Sequence, residues 1–386
     1  MISRWLTIKL DKNILLIGLR RAGKTTLLKH LFPNTMYKTF DDYDLLRSIK
    51  KDPKSLLVET YDSLILDEVQ RVPEVLITVK YAIDELKRKF IMTGSSSLGL
   101  LSVGTETLAG RIEIQECPTF CWGEEKGKPT HRLFEMPPSP VQIKEAQREI
   151  DRVMNYGGFP EVILAENNEE KEAVLKNYKN TYFTKDLLLI SNIEDADGLL
   201  SILNYLAISL GSHIEISNAS QESGVSHPTC KKYLNVLDQS RLTFKLYGYQ
   251  FGPAKRFIKA KKMYFSDMGI IRALGIPVSQ GQLLENFVIS EIEKRRKLGS
   301  LKTDRLYYYK STSGAEVDLV IEENGKVKAV EIKNTKNPHK KDVRNLIEFV
   351  AQDKKKRKGY LLYLGEDSFT IDTIEILPIA HLYRAY

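Results

Sequence analysis

Short apolar runs alternate with stretches of helical periodicity through the first 125 residues. The runs at 13–17, 35–40, 63–67, 89–93 and 111–116 each have the length of a buried strand. Strands that alternate with helices predict an α/β fold, in which helices cover both faces of a parallel sheet. The ligand of such a sheet lies beyond the carboxyl ends of its strands, so the residues that follow each strand are candidates for a site.

The pattern changes after residue 125. The segment "KGKPTHRLFEMPPSP" (126–140) is rich in proline and polar residues, which predicts a linker or an exposed loop. Helical stretches follow, interrupted by the turn signal "YGGFPEV" (156–162). We therefore divide the chain into a first domain at 1–125, a linker and helical region at 126–190, and two further modules at 191–252 and 253–386.

The third part contains two short helical segments and a strand. "NASQESG" and "SHPTCKKYLNVLDQS" predict the helices, and the strand-like "LTFKLYGY" follows them, an order typical of a winged helix. Major-groove contacts would come from the exposed face of the second helix, which carries His227, Thr229, Lys231 and Lys232. Winged helices also bind proteins, and two lysines make a thin basic patch, so DNA and protein both remain candidate partners.

The last part predicts a helix at 281–297, a strand "LYYYKS", a hairpin at 314–334, an amphipathic helix and a final strand. This order is that of a small α/β nuclease core of the restriction-endonuclease-like type. An Asn-Gly pair at the centre of the hairpin predicts a two-residue turn. Counting outward from the turn pairs Glu323 with Lys326 and places Asp318 opposite Glu331.

Two carboxylates that face each other across a hairpin repel, unless something compensates them. Asp318, Glu331 and Lys333 fit a nuclease site in which Mg²⁺ binds carboxylate oxygens and activates water. Glu285, from the preceding helix, would supply a further acidic ligand. The alternative is a surface hairpin, either with a slipped register or with a cross-strand ion pair between Glu316 and Lys333.

A phosphate-binding motif follows the first strand. "NILLIGLRRAGKTTLLKHLF" (13–32) holds Gly18, four residues, then Gly23-Lys24-Thr25, with a strand before and a helix after. Backbone N–H groups of such a loop bind phosphate oxygens, and the helix N-terminus adds positive potential. Lys24 should reach the β- and γ-phosphates and Thr25 should ligate Mg²⁺. The predicted nucleotide contacts also include Arg21, Ala22 and Thr26.

A second motif, "SLILDEVQ" (63–70), is a buried-strand pattern that ends in two acids. Asp67 at the strand end would hold Mg²⁺ through water, and Glu68 would orient and deprotonate the attacking water. The alternative is an ordinary strand that runs into an acidic helix cap. The phosphate-binding loop upstream favours the catalytic interpretation.

Two further features are candidates for sensing or stabilising the γ-phosphate. The strand "RKFIMTGSSS" (88–97) ends in hydroxyl residues, and Thr93, Ser95 and Ser96 are all candidates for the group that senses the phosphate. Arg111 could act as an arginine finger, either on its own nucleotide or on that of a neighbouring subunit. It could equally be a surface arginine.

Composition sets the class of protein. The chain has 386 residues, 42% hydrophobic and 28% charged, which are values of a globular protein with two or three domains. No run approaches the roughly 20 apolar residues that cross a bilayer, and three scattered cysteines suit a reducing compartment, so we expect a cytoplasmic location. A net charge of +8 permits an anionic partner such as nucleic acid.

Together the motifs resemble a known family. "GLRRAGKTT", "LDEVQRVPEV", "TGSSS", "LAGR", "YGGFPEV", "SDMGIIRAL", "LLENFVISEI", "GAEVDLVI" and "VEIK" occur in this order. The chain resembles prokaryotic AAA-type P-loop ATPases that carry a C-terminal domain of unknown function. The resemblance implies a RecA-like parallel sheet, ATP with Mg²⁺ as cofactors, a winged helix and a PD-(D/E)xK nuclease-like fold. It also implies nucleotide-site roles for Lys24, Thr25, Asp67 and Glu68.

We therefore expect an ATP-hydrolysing enzyme that acts on nucleic acid, with DNA favoured over RNA. Its C-terminal nuclease-like domain would either cleave DNA or only bind it. A contribution of Arg111 to a neighbouring subunit would require a homo-oligomer. The alternative is a nucleotide-dependent switch or scaffold that binds a protein partner and has a catalytically silent nuclease-like domain.

Overall fold

The first sheet of the molecule is parallel, as its alternating pattern predicts. In the computed structural model, which describes residues 2–94, 108–191, 193, 195–249, 261–353 and 356–386, five strands pair in the order β2-β3-β4-β1-β5. The strands are β1 (Ile14–Ile17), β2 (Met36–Thr39), β3 (Ser63–Asp67), β4 (Lys89–Gly94) and β5 (Glu113–Glu116). Every pairing among them is parallel.

Helices α1 (Lys24–Leu31), α2 (Tyr43–Lys51) and α3 (Val75–Asp84) connect the first four strands. Strand β1 is fully buried, because its four residues are apolar and central strands of a parallel sheet are covered on both faces. Helix α1 begins directly after the glycine-rich loop. The sheet therefore brings the loop and the carboxyl ends of β3 and β4 to the same edge.

A helical region follows the first sheet. Its helices are α4 (Pro140–Tyr156), α5 (Pro160–Leu164), α6 (Asn168–Tyr178), α7 (Leu187–Ser191) and α8 (Ala196–Ile208), with a π-helical segment at Lys179–Asp186. Ser139 caps α4 in a capping box with Gln142, so the helix begins where the proline-rich segment ends. The apolar faces of these helices pack into the largest core cluster of the described residues.

The second sheet joins two parts that the sequence divides at residue 252. Among the described residues, its nine strands pair in the order β13-β14-β12-β11-β10-β9-β7-β8-β6. They are β6 (His213–Ile214), β7 (Thr243–Gly248), β8 (Lys261–Phe265), β9 (Tyr307–Lys310), β10 (Glu316–Glu323), β11 (Lys326–Lys333), β12 (Arg357–Tyr363), β13 (Phe369–Ile371) and β14 (Ile374–Pro378). Parallel pairing of Tyr247 with Tyr307 makes the junction between the two parts.

In the part of the chain that the structure describes, five helices accompany this sheet. They are α9 (Ile216–Ser223), α10 (His227–Gln239), α11 (Met268–Leu274), α12 (Gln280–Lys297) and α13 (Arg344–Ala351). Strand β6, helices α9 and α10 and strand β7 lie within 213–248, where the sequence predicts two helices and a strand, and β8, which pairs with β7, lies beyond residue 252. Helix α12 is buried along most of its length and packs against β8 and β11.

The hairpin has the register that its Asn-Gly turn predicts. Glu323 pairs with Lys326, and the ladder continues in step to Leu319 opposite Val330. Asp318 and Glu331 are the next positions along the two strands. There the Asp318 side chain, at Oδ2, accepts a hydrogen bond of 2.8 Å from the Ile332 N–H.

A buried ion cluster ties the first sheet to the C-terminal half. Asp267, which has no exposed surface, accepts hydrogen bonds from the Thr119 hydroxyl at 2.5 Å and from the Gly158 N–H at 3.0 Å. Lys294 on α12 lies 3.0 Å from the same carboxylate and donates to the Phe120 carbonyl at 3.1 Å. Any side chain at Gly157 would overlap Asp267, which explains the glycine in "YGGFP".

Replacing Asp267 with alanine should destabilise the protein strongly, because Lys294 would lose a buried counter-ion and Gly158 a hydrogen-bond acceptor. We expect the free energy of unfolding, from urea denaturation at pH 7, to fall by about 3–5 kcal/mol. The control is Glu172→Gln, which removes the partly exposed ion pair with Arg272 and should cost under about 1 kcal/mol. Equal losses in the two variants would contradict this role of Asp267.

Candidate functional site

The glycine-rich loop holds Lys24 in a fixed position. Gly23 adopts the left-handed conformation with φ of 88°, and Lys24 begins α1. Lys24 is 5% exposed, and its ammonium donates to the carbonyls of Gly18 and Leu19, at 2.9 Å each. Burial lowers the pKa of Lys24, while the carboxylate of Glu68 acts in the opposite direction. The loop thus presents one buried cation at the edge of the sheet where β1 ends.

Side chains from the neighbouring strands contact Asp67. Its carboxylate is 3% exposed and accepts hydrogen bonds from the Thr25 hydroxyl at 2.8 Å and the Tyr37 hydroxyl at 2.5 Å. The Thr93 hydroxyl also donates to Asp67. The predicted pair Thr25 and Asp67 is therefore in direct contact. Of the three sensor candidates Thr93 lies here, while Ser95 and Ser96 lie outside the described residues.

Glu68 has an unusual backbone conformation at the end of β3. Its φ of 58° is left-handed, a region that non-glycine residues seldom occupy outside turns and functional sites. The Glu68 N–H donates to the Thr93 hydroxyl at 3.2 Å, and the Gln70 amide donates to the Glu68 carboxylate. These bonds fix both the backbone and the side chain of Glu68. The sequence gives no signal for these contacts, because Tyr37 reaches Asp67 through the order of the strands and Gln70 reaches Glu68 through the left-handed turn.

A cavity of about 670 Å³ lies over the loop. Its lining includes Arg21, Gly23, Lys24, Thr25, Thr26 and Glu68, all from the two predicted motifs. The lining also includes a mostly apolar set, Ile2, Arg4, Leu27, Phe120, Pro160, Glu161 and Leu164. A cavity lined by both cationic and apolar side chains has the chemical character that a nucleotide requires.

Two contacts hold the walls of this cavity together. The buried guanidinium of Arg4 donates to the Ala22 carbonyl of the loop at 3.1 Å and forms an ion pair with Glu124 at 2.9 Å. Across the cavity, Arg21 lies 3.3 Å from Glu161 of helix α5. The N-terminal segment and the first helical turns after "YGGFP" therefore both contribute to the site.

The arginine-finger prediction for Arg111 fails for the nucleotide of its own chain. Arg111 precedes β5, so it lies at the amino ends of the parallel strands, opposite the edge that carries Lys24. There it forms an ion pair of 2.7 Å with Asp84, at the end of α3. A role on a neighbouring subunit remains a prediction.

The residues predicted to contact DNA lie on α10. Lys231 and Lys232 are exposed, while Thr229 is only partly exposed and its N–H donates to the Ser226 hydroxyl in the helix cap. Tyr233 and Leu237 face the core on the other side of the helix. The helix therefore presents two neighbouring lysines to solvent, whereas Thr229 takes part in the N-cap of the helix.

The carboxylates of Asp318, Glu331 and Glu285 lie close enough to influence one another. Lys333 forms an ion pair with Glu331 at 2.7 Å, and Glu285 accepts a hydrogen bond of 2.6 Å from the Tyr264 hydroxyl. Burial raises the pKa of Asp318 well above its ordinary value, and the charges of Glu331 and Glu285 raise it further. Burial also raises the pKa of Glu331.

The expected metal site does not fit this cluster well. One carboxylate oxygen of Glu331, Oε2, is buried without a hydrogen-bond partner, which is a feature of a metal ligand. However, within the described residues no group of three or more His, Cys, Asp or Glu is arranged to hold a metal ion. Glu285 is instead engaged by Tyr264 and lies 3.8 Å from the Lys262 ammonium. The three-carboxylate cage expected from the sequence is thus not formed.

Family models divide the chain into three matched regions. Residues 10–125 match the model of an AAA domain, the domain type found in AAA ATPases. Residues 147–280 and 280–382 match two domains of unknown function, DUF8612 and DUF4143. The expected AAA domain with a C-terminal domain of unknown function is confirmed. In the described part of the chain, no helix has both the length and the apolar character to span a membrane.

Relatives that match most of this chain occur in bacteria and archaea. The uncharacterized protein Rv2008c of Mycobacterium tuberculosis is 25% identical over 379 residues, covering 95% of this chain and 79% of its own. The uncharacterized protein MJ1544 of Methanocaldococcus jannaschii is 26% identical over 337 residues, covering 83% and 75%.

Two solved structures show weak similarity. The McrB AAA+ hexamer with bound McrC from Thermococcus gammatolerans covers 49% of this chain and 51% of its own, with 13% identity and a TM-score of 0.20. Protein VC1899 of Vibrio cholerae covers 96% and 95%, with 10% identity and a TM-score of 0.22. At these scores neither comparison defines the arrangement of this chain.

The raised pKa of Asp318 predicts a pH-dependent stability. Because the folded pKa lies above the unfolded value of about 3.8, the stability that its proton contributes is complete below that value. It is lost as the pH rises through the folded pKa. Asp318→Asn should remove this loss, so the variant should be more stable than the wild type at pH 8 and should lose less stability between pH 4 and pH 8.

The measurement is urea denaturation between pH 4 and pH 8 in the presence of EDTA, which keeps divalent ions out of the cluster. The exposed residue Asp304 supplies the control, because Asp304→Asn should follow the wild-type pH dependence. If Asp318→Asn loses as much stability with rising pH as the wild type, the carboxylate is not the group that titrates.

Proposed function

We propose that this protein is an ATPase that hydrolyses ATP with Mg²⁺ and uses the hydrolysis to act on nucleic acid, DNA more readily than RNA. The observation that carries the proposal is the 2.8 Å contact between Asp67 and Thr25, which lines a cavity together with Lys24 and Glu68. Four residue types that ATP hydrolysis requires come from two separate motifs and meet at one edge of the sheet.

Each residue has a distinct part in this proposal. The Lys24 ammonium binds the β- and γ-phosphate oxygens in place of its contacts with the carbonyls of Gly18 and Leu19. Thr25 and Asp67 hold Mg²⁺, the hydroxyl directly and the carboxylate through water. The bound ion would neutralise charge that builds up on the phosphates.

Glu68 is the proposed general base. Its carboxylate takes the proton from the water that attacks the γ-phosphate. The left-handed backbone at Glu68 and the hydrogen bond from Gln70 support this role, because they fix the direction in which the carboxylate points. Thr93 is the proposed sensor, since its hydroxyl contacts both Asp67 and the Glu68 backbone.

The nucleic-acid part of the proposal is supported by α10 and by charge. Lys231 and Lys232 project from the second of two consecutive short helices, in the position from which helix-turn-helix proteins reach DNA. The net charge of +8 favours an anionic partner. We also propose that the C-terminal region is a nuclease-like module beside this winged-helix-like segment.

A second candidate function is a nucleotide-dependent switch that binds a protein and has a silent nuclease-like domain. The specific observation in its favour is the state of the C-terminal cluster, whose carboxylates are already engaged by lysine and tyrosine side chains. In that case ATP binding would set the conformation that a partner recognises. ATP hydrolysis that does not respond to DNA would favour this candidate.

Glu68→Gln should bind ATP but hydrolyse it slowly, because glutamine preserves the shape of the side chain and removes the base. We expect kcat to fall by about 10²–10⁴-fold with little change in ATP affinity. Lys24→Ala should lose ATP binding itself. The measurements are steady-state ATPase rates and equilibrium binding of ATP.

The control for Glu68→Gln is the exposed Glu74→Gln, six residues further along, which should leave both quantities unchanged. A wild-type rate in Glu68→Gln would assign the base to another residue. Unchanged ATP affinity in Lys24→Ala would remove the nucleotide site from this loop.

Duplex DNA should stimulate the ATPase, and the stimulation should weaken steeply with salt. Replacing Lys231 and Lys232 with alanine should weaken DNA binding and reduce the slope of log K against log salt by about two, one for each lost phosphate contact. DNA affinity is measured by fluorescence anisotropy over a range of salt concentrations, alongside the ATPase rate.

The matched control replaces Lys50 and Lys51, a neighbouring pair of exposed lysines at the end of α2. That variant should bind DNA as the wild type does. Equal effects of the two double substitutions would show that only net charge matters. An ATPase rate that DNA leaves unchanged would contradict the nucleic-acid part of the proposal.

A further inference from the structure

A lysine from outside the hairpin reaches into the C-terminal carboxylate cluster. Lys262 lies on β8 and is 2% exposed. Its ammonium is 2.5 Å from the Glu316 carboxylate and 3.8 Å from that of Glu285. Burial acts to lower the pKa of Lys262, but the charges of Glu285, Glu316 and Asp318 outweigh burial and raise it. The side chain is therefore a buried, charged ammonium.

The Lys262 ammonium is surrounded by acidic side chains. Asp318 and Glu331 are largely buried, and Glu285 is held by the Tyr264 hydroxyl at 2.6 Å. Gly211 also lies against Glu285, since a Cβ added there would be 2.8 Å from the carboxylate. Protein atoms therefore occupy part of the space around Glu285, whose side chain is 20% exposed, and leave fewer positions for the waters that a Mg²⁺ ion usually keeps.

Counting charges shows what Lys262 does. Among the described residues, the cluster contains the four carboxylates Glu285, Glu316, Asp318 and Glu331, the buried ammonium of Lys262, and the partly exposed ammoniums of Lys310 and Lys333. Lys333 pairs with Glu331 on the hairpin, and Lys310 lies 3.4 Å from Glu316. Lys262 supplies the buried positive charge, 2.5 Å from Glu316 and 3.8 Å from Glu285.

We infer that Lys262 is the resident cation of this cluster: its ammonium occupies the place where the nuclease-like arrangement would hold a divalent ion, and it excludes that ion from the folded protein. The arrangement explains why the described carboxylates form no metal-binding group although their sequence spacing predicts one. A fixed positive charge repels a divalent cation and also withdraws Glu285 and Glu316 as ligands.

The inference goes beyond the proposed ATPase function and does not depend on it. Lys262 belongs to the region 147–280, whereas the four carboxylates belong to 280–382. Lys262 and the carboxylates thus come from two different matched regions. Strand β7 brings them together, because it pairs with β8, which carries Lys262, and with β9 of the C-terminal region. The C-terminal hairpin alone does not contain it.

The test is Mn²⁺ binding to the full chain without nucleotide, measured by electron paramagnetic resonance after removal of metals with EDTA. The wild type should show no Mn²⁺ site that Glu331→Gln removes. Lys262→Met, which keeps the length of the side chain without its charge, should gain one site with an affinity at least about tenfold higher than any in the wild type. Adding Glu331→Gln to Lys262→Met should abolish that site.

Lys310→Met is the matched control, because Lys310 also lies beside Glu316, at 3.4 Å, but is partly exposed. It should bind Mn²⁺ as the wild type does. If Lys262→Met does not fold, Lys262→Met with Glu316→Gln removes the ammonium together with its nearest carboxylate and should gain the same site. A wild-type Mn²⁺ site that Glu331→Gln removes would overturn the inference, and so would a folded Lys262 variant that gains no site.

Discussion

The hydrogen bonds to the Asp67 carboxylate are the constraint on which the nucleotide site depends. A buried carboxylate must be satisfied by donors, and here the donors are the hydroxyls of Thr25, Tyr37 and Thr93. They come from α1, β2 and β4, so one side chain joins the ends of three elements that flank β3. The sheet order β2-β3-β4-β1 makes this possible, because it places the loop, both acids and the sensor strand at one edge.

Much of this edge of the sheet is predictable from the sequence, because the motifs that form it are short and continuous. The spacing from Gly18 to Thr25 and the acids that end β3 are each contained within a few residues. Tyr37 and Gln70 are not predictable in the same way, since their contacts depend on which strands are neighbours and on the left-handed turn at Glu68. The role of Arg111 is predicted from a local motif, but the structure places this residue at the amino end of β5, away from the nucleotide site, where it pairs with Asp84.

In the C-terminal half too, contacts between residues close in sequence could be predicted, and contacts between residues far apart in sequence could not. The Asn-Gly turn predicts the hairpin register, and the structure has that register. Lys262 could not be predicted, because it enters through strands far from the hairpin in sequence. Helix α12 connects the two halves of the molecule. Glu285, near the start of the helix, belongs to the carboxylate cluster, and Lys294, near its end, forms an ion pair with Asp267 close to the residues that follow β5. One buried helix thus positions groups in both regions.

The most direct test of the account is whether Asp67 couples Mg²⁺ to ATP binding. Equilibrium binding of ATP would be measured with and without Mg²⁺ for the wild type and for Asp67→Asn, which keeps the size of the side chain and removes its charge. The account predicts that Mg²⁺ strengthens ATP binding to the wild type by about tenfold or more, roughly 1.4 kcal/mol, and that Asp67→Asn loses most of this gain. An equal gain in both proteins would contradict it.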